Sequence, residues 1–170
     1  MGIWHKLDKL LARTAGRYGD LMRLLVKVIP SAKPDGSDPF TVLSKPISEC
    51  KIALLTTCGV HLPTQMPFDM DARSGDPSYR AFTWQDIRKA YVISHSHINA
   101  DSIMKDINVA VPGDRIEELI TQGVVAALHP TVYSFMGYIV NTKPLVRTYA
   151  PEVAKKLKQD GVDIAVITPC

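Results

Sequence analysis

The sequence has few cysteines, few aromatic residues, little net charge and no long hydrophobic run. Three cysteines in 170 residues, an odd number without framework spacing, are typical of reduced thiols in a cytosolic protein rather than of a secreted disulfide scaffold. No apolar run reaches the roughly 18 residues of a membrane span. Charges interrupt every apolar stretch near the N-terminus, which argues against a secretory signal. We therefore expect a cytoplasmic protein without a membrane span.

The net charge of +3 is small and unevenly distributed. Residues 1–33 contain seven Lys or Arg against two acids, so the rest of the chain is nearly neutral. The chain has no run of basic residues interleaved with aromatics, which is the pattern of nucleic-acid-binding proteins. We therefore expect no nucleic-acid partner, and the length and an apolar content of 46% predict one domain with a full core.

The hydrophobic pattern divides the chain into an N-terminal helix (1–29), a linker (30–49) and an α/β domain (50–170). The helix is amphipathic, because its apolar stripe recurs at steps of three and four residues. The stripe is Trp4, Leu7, Leu11, Thr14, Tyr18, Leu21, Leu25 and Val28. We expect the helix to pack on its own domain or on a second subunit. A membrane-surface helix is the alternative, since Lys and Arg fill the other face.

Strands and helices alternate in the third part. Apolar runs predict strands at 51–57, 88–94 and 162–167, and a helix from Pro151 to Gln159. Residues 131–139 are predicted to be irregular. This rhythm predicts a mostly parallel sheet with flanking helices, of Rossmann-like or flavodoxin-like type. We expect a helix to cover the last strand in such a fold, so its absence indicates a fold that ends there, a covering partner or a truncated chain.

Polar clusters stand where the predicted strands end. They are Thr56–His61, Gly75–Arg80 and Ser94–His97. Because ligands of open α/β sheets bind beyond the carboxyl ends of the strands, these clusters predict a reaction site. We expect its catalytic histidines and thiol to line one pocket: Cys58, His61, His95 and His97.

The histidines allow more than one chemistry. His95 and His97 flank one residue, so on a strand they point to the same side. With Asp101 or His61 they could hold a single divalent metal such as zinc in an open site. Acid–base or substrate-orienting work is the other functional reading, and hydrogen-bonded structural histidines are the third. His61 is a candidate to accept or deliver a proton.

The remaining candidates bind substrate or stabilise structure. Asp76 and Arg80 are expected to form an ion pair that fixes the long loop. The functional alternative is that Arg80 binds a carboxylate of the substrate. Thr57 and Ser134 complete the predicted substrate-binding set. Cys58 precedes a glycine and is either a packed or a reactive thiol, whereas Cys50 is predicted to be structural.

These residues carry a resemblance to a known family. The chain resembles the selenoprotein B subunit of glycine, sarcosine and betaine reductases, together with related D-proline reductase subunits. The matching segments run in family order from about residue 50 onwards. They are Ala53–Leu62, Pro67–Asp69, Gly75–Arg80, Ile93–His97, Asp106–Asn108, Pro112–Leu119, Ser134–Tyr138 and Gly161–Pro169.

The resemblance implies reductive chemistry by a selenol or thiol. In the family a selenocysteine just after the last strand attacks the carbon that bears an activated nitrogen and cleaves the C–N bond. A second thiol or a partner protein resolves the adduct. Written in the formal reverse direction, the reaction joins X–H and Y–H into an X–Y bond, and a disulfide accepts the electrons. Cys170 lies at or one residue before that position and becomes the predicted nucleophile, with Cys58 as its dithiol partner.

The same resemblance implies a small amino-acid-like substrate, no resident cofactor, and a homo-oligomer or a subunit of a reductase complex, with a thiol-donor protein as a further partner. Two departures stand against it. No residue follows Cys170, as expected from natural termination or from a selenocysteine codon read as stop, and Asn99 and Ala100 stand where the family often has an acid and a histidine. A metal-dependent lyase or hydrolase and a non-catalytic subunit therefore remain alternatives.

Overall fold

The computed structural model describes residues 41–95 and 100–169. Its strands are β1 (Lys51–Thr56), β2 (Val60–His61), β3 (Tyr79–Thr83), β4 (Val92–Ile93), β5 (Ala127–Leu128), β6 (Thr131–Phe135) and β7 (Ile164–Thr168). Its helices are α1 (Trp84–Ile87), α2 (Asp101–Lys105), α3 (Gly113–Thr121) and α4 (Ala150–Gln159). Two 3-10 turns (Ile47–Glu49, Ile107–Val109) and a π-helical turn (Leu145–Tyr149) complete the described elements. The predicted helix at 1–29 lies outside the described residues.

One mostly parallel sheet organises these elements. β1 is central and pairs in parallel with β5 and β6 on one side and with β7 on the other. β3 pairs antiparallel with β6 and forms an edge. The predicted α/β class with a mostly parallel sheet is therefore confirmed.

Helices cover the sheet on both faces because successive strand side chains alternate between them. Ile52 and Leu54 of β1 enter a core with Trp84, Ile116 and Val132, on the face covered by α1 and α3. On the opposite face a second core lies under α4, formed by Ala53, Tyr133, Phe135, Val153 and Leu157. β1 is thus buried on both sides, as expected for a central strand of a parallel sheet.

The sequence of α4 explains its bounds. Pro151 lies in the first turn, where its missing N–H has no helical acceptor to lose. Val153 and Leu157, four residues apart, form the buried stripe, and Lys156 and Lys158 lie in the last turn, where they complement the helix dipole. Gly161, with φ of 69°, then ends the helix. The prediction of this helix is confirmed.

The predicted strand at 88–94 is wrong in extent and place. Only Val92–Ile93 is a strand, and it pairs antiparallel with β2 in a separate two-stranded ribbon. Trp84–Ile87 before it is a short helix, capped by Thr83 accepting a hydrogen bond from the Asp86 amide. The apolar run was too short to indicate which neighbour it pairs with.

The predicted irregular segment at 131–139 is also wrong, because its first five residues form β6. Thr131 and Ser134 are polar, yet Val132 through Phe135 are all buried. Strands of this kind, covered on both faces, show no polar–apolar alternation.

Within the described residues, no helix is long and apolar enough to cross a membrane.

Candidate functional site

The carboxyl ends of β1, β6 and β7 meet at one edge of the sheet. Thr56 pairs in register with Ser134 on one side and with Thr168 on the other. The Thr57 amide donates to the Thr168 carbonyl at 3.1 Å, and the Thr168 hydroxyl donates to the Leu55 carbonyl at 3.3 Å. The polar end of β7 is therefore fixed beside the segment that leads into Cys58.

Cys58 lies at this edge and is buried, with 1% of its surface exposed. Its amide donates to the Thr56 hydroxyl at 3.2 Å, and its backbone bridges to Met136 after β6. The Cys58 sulfur takes part in a disulfide. Cys50, at the opposite end of β1, is a buried free thiol near the Pro46 carbonyl, in keeping with its predicted structural role.

A glycine turn brings a second segment against Cys58. Gly59 has φ of 64°, and a Cβ there would overlap the carbonyl of Ser94. The Ser94 amide donates to the Gly59 carbonyl at 2.9 Å, and the Gly59 amide donates to the Phe135 carbonyl at 2.9 Å. Glycine is needed here because only it combines positive φ with this close approach.

His61 forms a buried hydrogen-bonded pair with Ser94. Its Nδ1 lies 2.9 Å from the Leu62 carbonyl and its Nε2 lies 2.9 Å from the Ser94 hydroxyl. A carbonyl only accepts, so Nδ1 carries the proton, and in the neutral ring Nε2 accepts from Ser94. Phe68 packs edge-on against the imidazole at 6.0 Å. This arrangement fixes the ring's orientation.

His95 reaches over the ends of β1 and β6. A Cβ on Gly137 would overlap the His95 imidazole at Nε2, and it would lie 2.9 Å from the Thr57 carbonyl oxygen. The His95 ring nitrogen and the Thr57 carbonyl therefore both lie beside Gly137. Thr57 is the residue immediately before Cys58 in the chain. Of the predicted set, the structure brings His95, Thr57, Cys58 and His61 to one edge. His97 and Cys170 lie outside the described residues.

Asp76 and Arg80 form the predicted ion pair, at 3.5 Å. The five N–H groups of Arg80 are directed at five acceptors: the carbonyls of Met66, Pro67 and Tyr79, the Ser78 hydroxyl and the Asp76 carboxylate. Its guanidinium also stacks on Phe68 at 4.3 Å. Every N–H group of Arg80 is hydrogen-bonded within this loop region. Binding of a substrate carboxylate by Arg80 stays a prediction, and it requires some of these hydrogen bonds to be replaced by bonds to the substrate.

The Asp76 carboxylate is held in its charged form. Burial raises its pKa, but hydrogen bonds from Ser78 and the Asp69 amide, with the charge of Arg80, outweigh burial and lower the pKa below the ordinary 3.8. Asp76 thus organises the loop between β2 and β3.

Two further predicted residues stand apart from this network. The Ser134 hydroxyl is fully buried and has no hydrogen-bond partner in the described structure. Asp101 is the first residue of α2. Within the described residues, no group of three His, Cys, Asp or Glu side chains is arranged to hold a metal ion. The alternative site of His95, His97 and Asp101 stays a prediction, because His97 is not described.

Ser94 and Thr168 belong to this edge, although neither was among the predicted site residues. Ser94 is 33 positions from His61, and only the β2–β4 pairing brings them together. The signal for Thr168 was its position at the end of the last strand, where it pairs with Thr56.

The fold and this edge define an α/β protein with a buried, disulfide-bonded cysteine near the carboxyl ends of parallel strands. Comparison with known proteins agrees. The family model for glycine/sarcosine/betaine reductase selenoprotein B matches residues 32–170, so the chain belongs to that family.

Two curated proteins are similar to this chain. The D-proline reductase subunit gamma of Acetoanaerobium sticklandii is 30% identical over 129 residues, covering 76% of this chain and 52% of the relative. The glycine reductase complex component B subunit gamma of Symbiobacterium thermophilum is 29% identical over 134 residues, covering 73% of this chain and 29% of the relative. The chain thus spans about half, or less, of the length of these relatives. No solved structure was found to match it.

Proposed function

We propose that this chain is a reductase subunit in which Cys58 and Cys170 form a dithiol that cleaves a C–N bond in a small amino-acid-like substrate. The observation that carries the proposal is the register of β1 and β7. Thr56 pairs with Thr168, and each cysteine follows two residues later. Neighbouring strands are about 4.8 Å apart, so the two chain segments leave the sheet at adjacent points.

The oxidised state of Cys58 supports this pairing. The chain has three cysteines, Cys58 is disulfide-bonded, and Cys50 is free. Cys50 also lies at the other end of β1, one residue before it begins. That Cys170 is the partner of Cys58 is part of the proposal.

The proposed reaction balances as a two-electron reduction. One thiolate attacks the carbon that bears the nitrogen, and the C–N bond breaks with its electron pair moving to nitrogen. The second thiol attacks the first sulfur, which forms the disulfide and returns an electron pair to carbon. The two thiol protons end on nitrogen and carbon, so one C–N bond and two S–H bonds become N–H, C–H and S–S bonds.

Nearby side chains supply proton transfer and substrate contacts in this proposal. His95, beside Thr57, delivers the proton to the departing nitrogen, and the His61 imidazole, oriented by its hydrogen bond to Ser94, is the second candidate for proton transfer. The unpartnered hydroxyl of Ser134 and the Thr57 backbone are donors or acceptors for a polar substrate. Asp76 and Arg80 support the loop that closes this side of the site.

The relatives indicate the substrate class and setting. One is named for D-proline reduction and the other for glycine reduction, so we propose a small amino acid as substrate and a multi-subunit reductase as the working form. A dithiol or thiol-donor protein then reduces the disulfide after each turnover. We expect turnover to require partner subunits, since one relative is named as a subunit of a reductase complex component.

Single-turnover thiol loss tests the proposal. The reduced full chain, mixed with its partner subunits and with D-proline or glycine, should lose two thiols per product formed. Cys58→Ser and Cys170→Ser should abolish product, whereas Cys50→Ser should behave as wild type. Product formation by either of the first two variants at the wild-type rate would refute the dithiol mechanism.

A further inference from the structure

An apolar groove lies beside α4 on the outer part of the sheet. It has a volume of about 510 Å³. Its floor and walls come from β1, the π-helical turn, α4 and β7, including Leu55, Val146, Ala150, Ala154, Ala165 and Ile167. None of the described residues that line it carries a charge. A small zwitterionic amino acid is a poor ligand for such a surface, because its charges would lose their hydration without partners.

The groove has the shape expected for a helix. Val146, Ala150 and Ala154 recur at every fourth residue, so they present a row of small side chains that permits close approach. Opposite them, Ala165 and Ile167 project from the same face of β7. Val146 is 64% exposed and Ile167 61% exposed. In the described part of the chain, no strand pairs with the outer side of β7.

The incoming chain passes close to this groove. Lys45 forms an ion pair with Asp163 at 2.8 Å, and Asp163 also accepts from the Lys51 amide at 2.8 Å. Asp163 immediately precedes β7, so the segment before β1 is held at the start of β7. Residues 29–45 can span about 50 Å when extended, several times the roughly 17 Å length of β7. The N-terminal segment can therefore return along the groove.

We propose that the C-terminal half of the amphipathic segment at 1–29 docks in this groove as a helix. Its apolar residues Tyr18, Leu21, Leu25 and Val28 recur at steps of three and four and span about 15 Å as a helix. That length matches β7. Arg23 and Lys27 of this half lie on the opposite face, which then points to water. The docked helix supplies the outer layer that β7 otherwise lacks.

Amide hydrogen exchange on the full chain tests this docking. Residues 18–28 should be protected in the wild type, and Ala154→Glu should lower that protection by at least about tenfold, because it places a carboxylate in the groove. The matched control is Ala126→Glu, at an exposed position outside the groove, which should leave the protection unchanged. An unprotected wild-type segment, or equal exchange in both variants, would overturn the proposal.

The reciprocal change separates docking within one chain from docking between copies. Leu21→Asp should increase hydroxyl-radical labelling of Val146 and Ile167 several-fold, since the groove opens when the helix leaves. Wild-type protection of residues 18–28 should not depend on protein concentration. Protection that is lost on dilution would assign the groove to the segment of a second copy and would overturn docking within one chain.

Discussion

Gly137 lacks a side chain at the point where a Cβ would overlap the His95 ring. Its backbone has no positive φ, so conformational freedom is not the reason for glycine here. The reason is space, which lets an imidazole lie beside the Thr57 carbonyl and next to the segment that carries Cys58. At this scale, the position of the His95 ring depends on one residue being small.

Gly137→Ala should displace His95 and change the reactivity of the reduced thiols. If His95 stabilises the thiolate, His95→Ala should raise the pH midpoint of thiol alkylation, by roughly one unit. Gly137→Ala should give a shift in the same direction. In the His95→Ala background, Gly137→Ala should add nothing, which mass-spectrometric alkylation across pH would measure. An equal effect of Gly137→Ala with and without His95 would show that the glycine acts through the backbone instead.

Asp76 gives a pH-dependent contribution to stability. Its pKa is lower in the folded chain than the ordinary 3.8, so its contribution is fully present above about pH 4 and is lost as pH falls through the lowered pKa. Asp76→Asn should reduce the free energy of unfolding at pH 7 by about 1–3 kcal/mol, and the difference from wild type should shrink below pH 4.

Urea unfolding at pH 7 and pH 3 measures this difference. Glu118→Gln is the control, because Glu118 pairs with Arg115 on the surface and should change stability by less than about 1 kcal/mol. A difference for Asp76→Asn that grows in acid would contradict the assignment.

At the scale of elements, β1 holds the two layers together. Leu54 is fully buried in the core with Trp84 and Val132. Leu54→Ala should reduce the free energy of unfolding by about 2–5 kcal/mol, from lost burial and the cavity left behind. Leu43→Ala makes the same chemical change at a site 40% exposed and should cost less than about 1 kcal/mol. Equal costs in chemical denaturation would show that this core is not tightly packed.

The elements also show what sequence patterns can predict. Apolar runs identified β1 and β7, and Pro151 with Gly161 gave both ends of α4, because these signals are local. β6 was missed because Ser134 and Thr131 interrupt its apolar pattern. The ribbon of β2 and β4 was missed because pairing depends on contacts between residues about 30 positions apart.

The same distinction holds for the site. The general rule for parallel sheets predicted that Thr57, Cys58 and His95 would share an edge. The His61–Ser94 bond and the commitment of every Arg80 donor to its loop were not predictable, because both depend on the folded path of residues 62–80. The roles assigned to the individual residues remain predictions.

For the whole molecule, the two faces of the sheet have different surroundings. Among the described elements, α1, α3 and the β2–β4 ribbon cover one face, and α4 covers β1 and β6 on the other. The edge formed by the carboxyl ends of β1, β6 and β7 lies next to the end of the groove that Thr57 and Gly137 line. A helix docked in the groove would therefore also approach the thiols.

The central claim is that Cys58 and Cys170 form one redox couple, and tryptic mapping of the oxidised full chain tests it most directly. Cleavage after Lys51, Arg73 and Lys158 separates the three cysteines: Cys50 leaves on the peptide that ends at Lys51, Cys58 on residues 52–73 and Cys170 on the peptide that begins at Gln159. We expect the second and third peptides to be joined without reductant and separate after reduction, while Cys50 remains a free thiol. A bond between Cys50 and either other cysteine, or a Cys170 that stays unpaired after complete oxidation, would contradict the account.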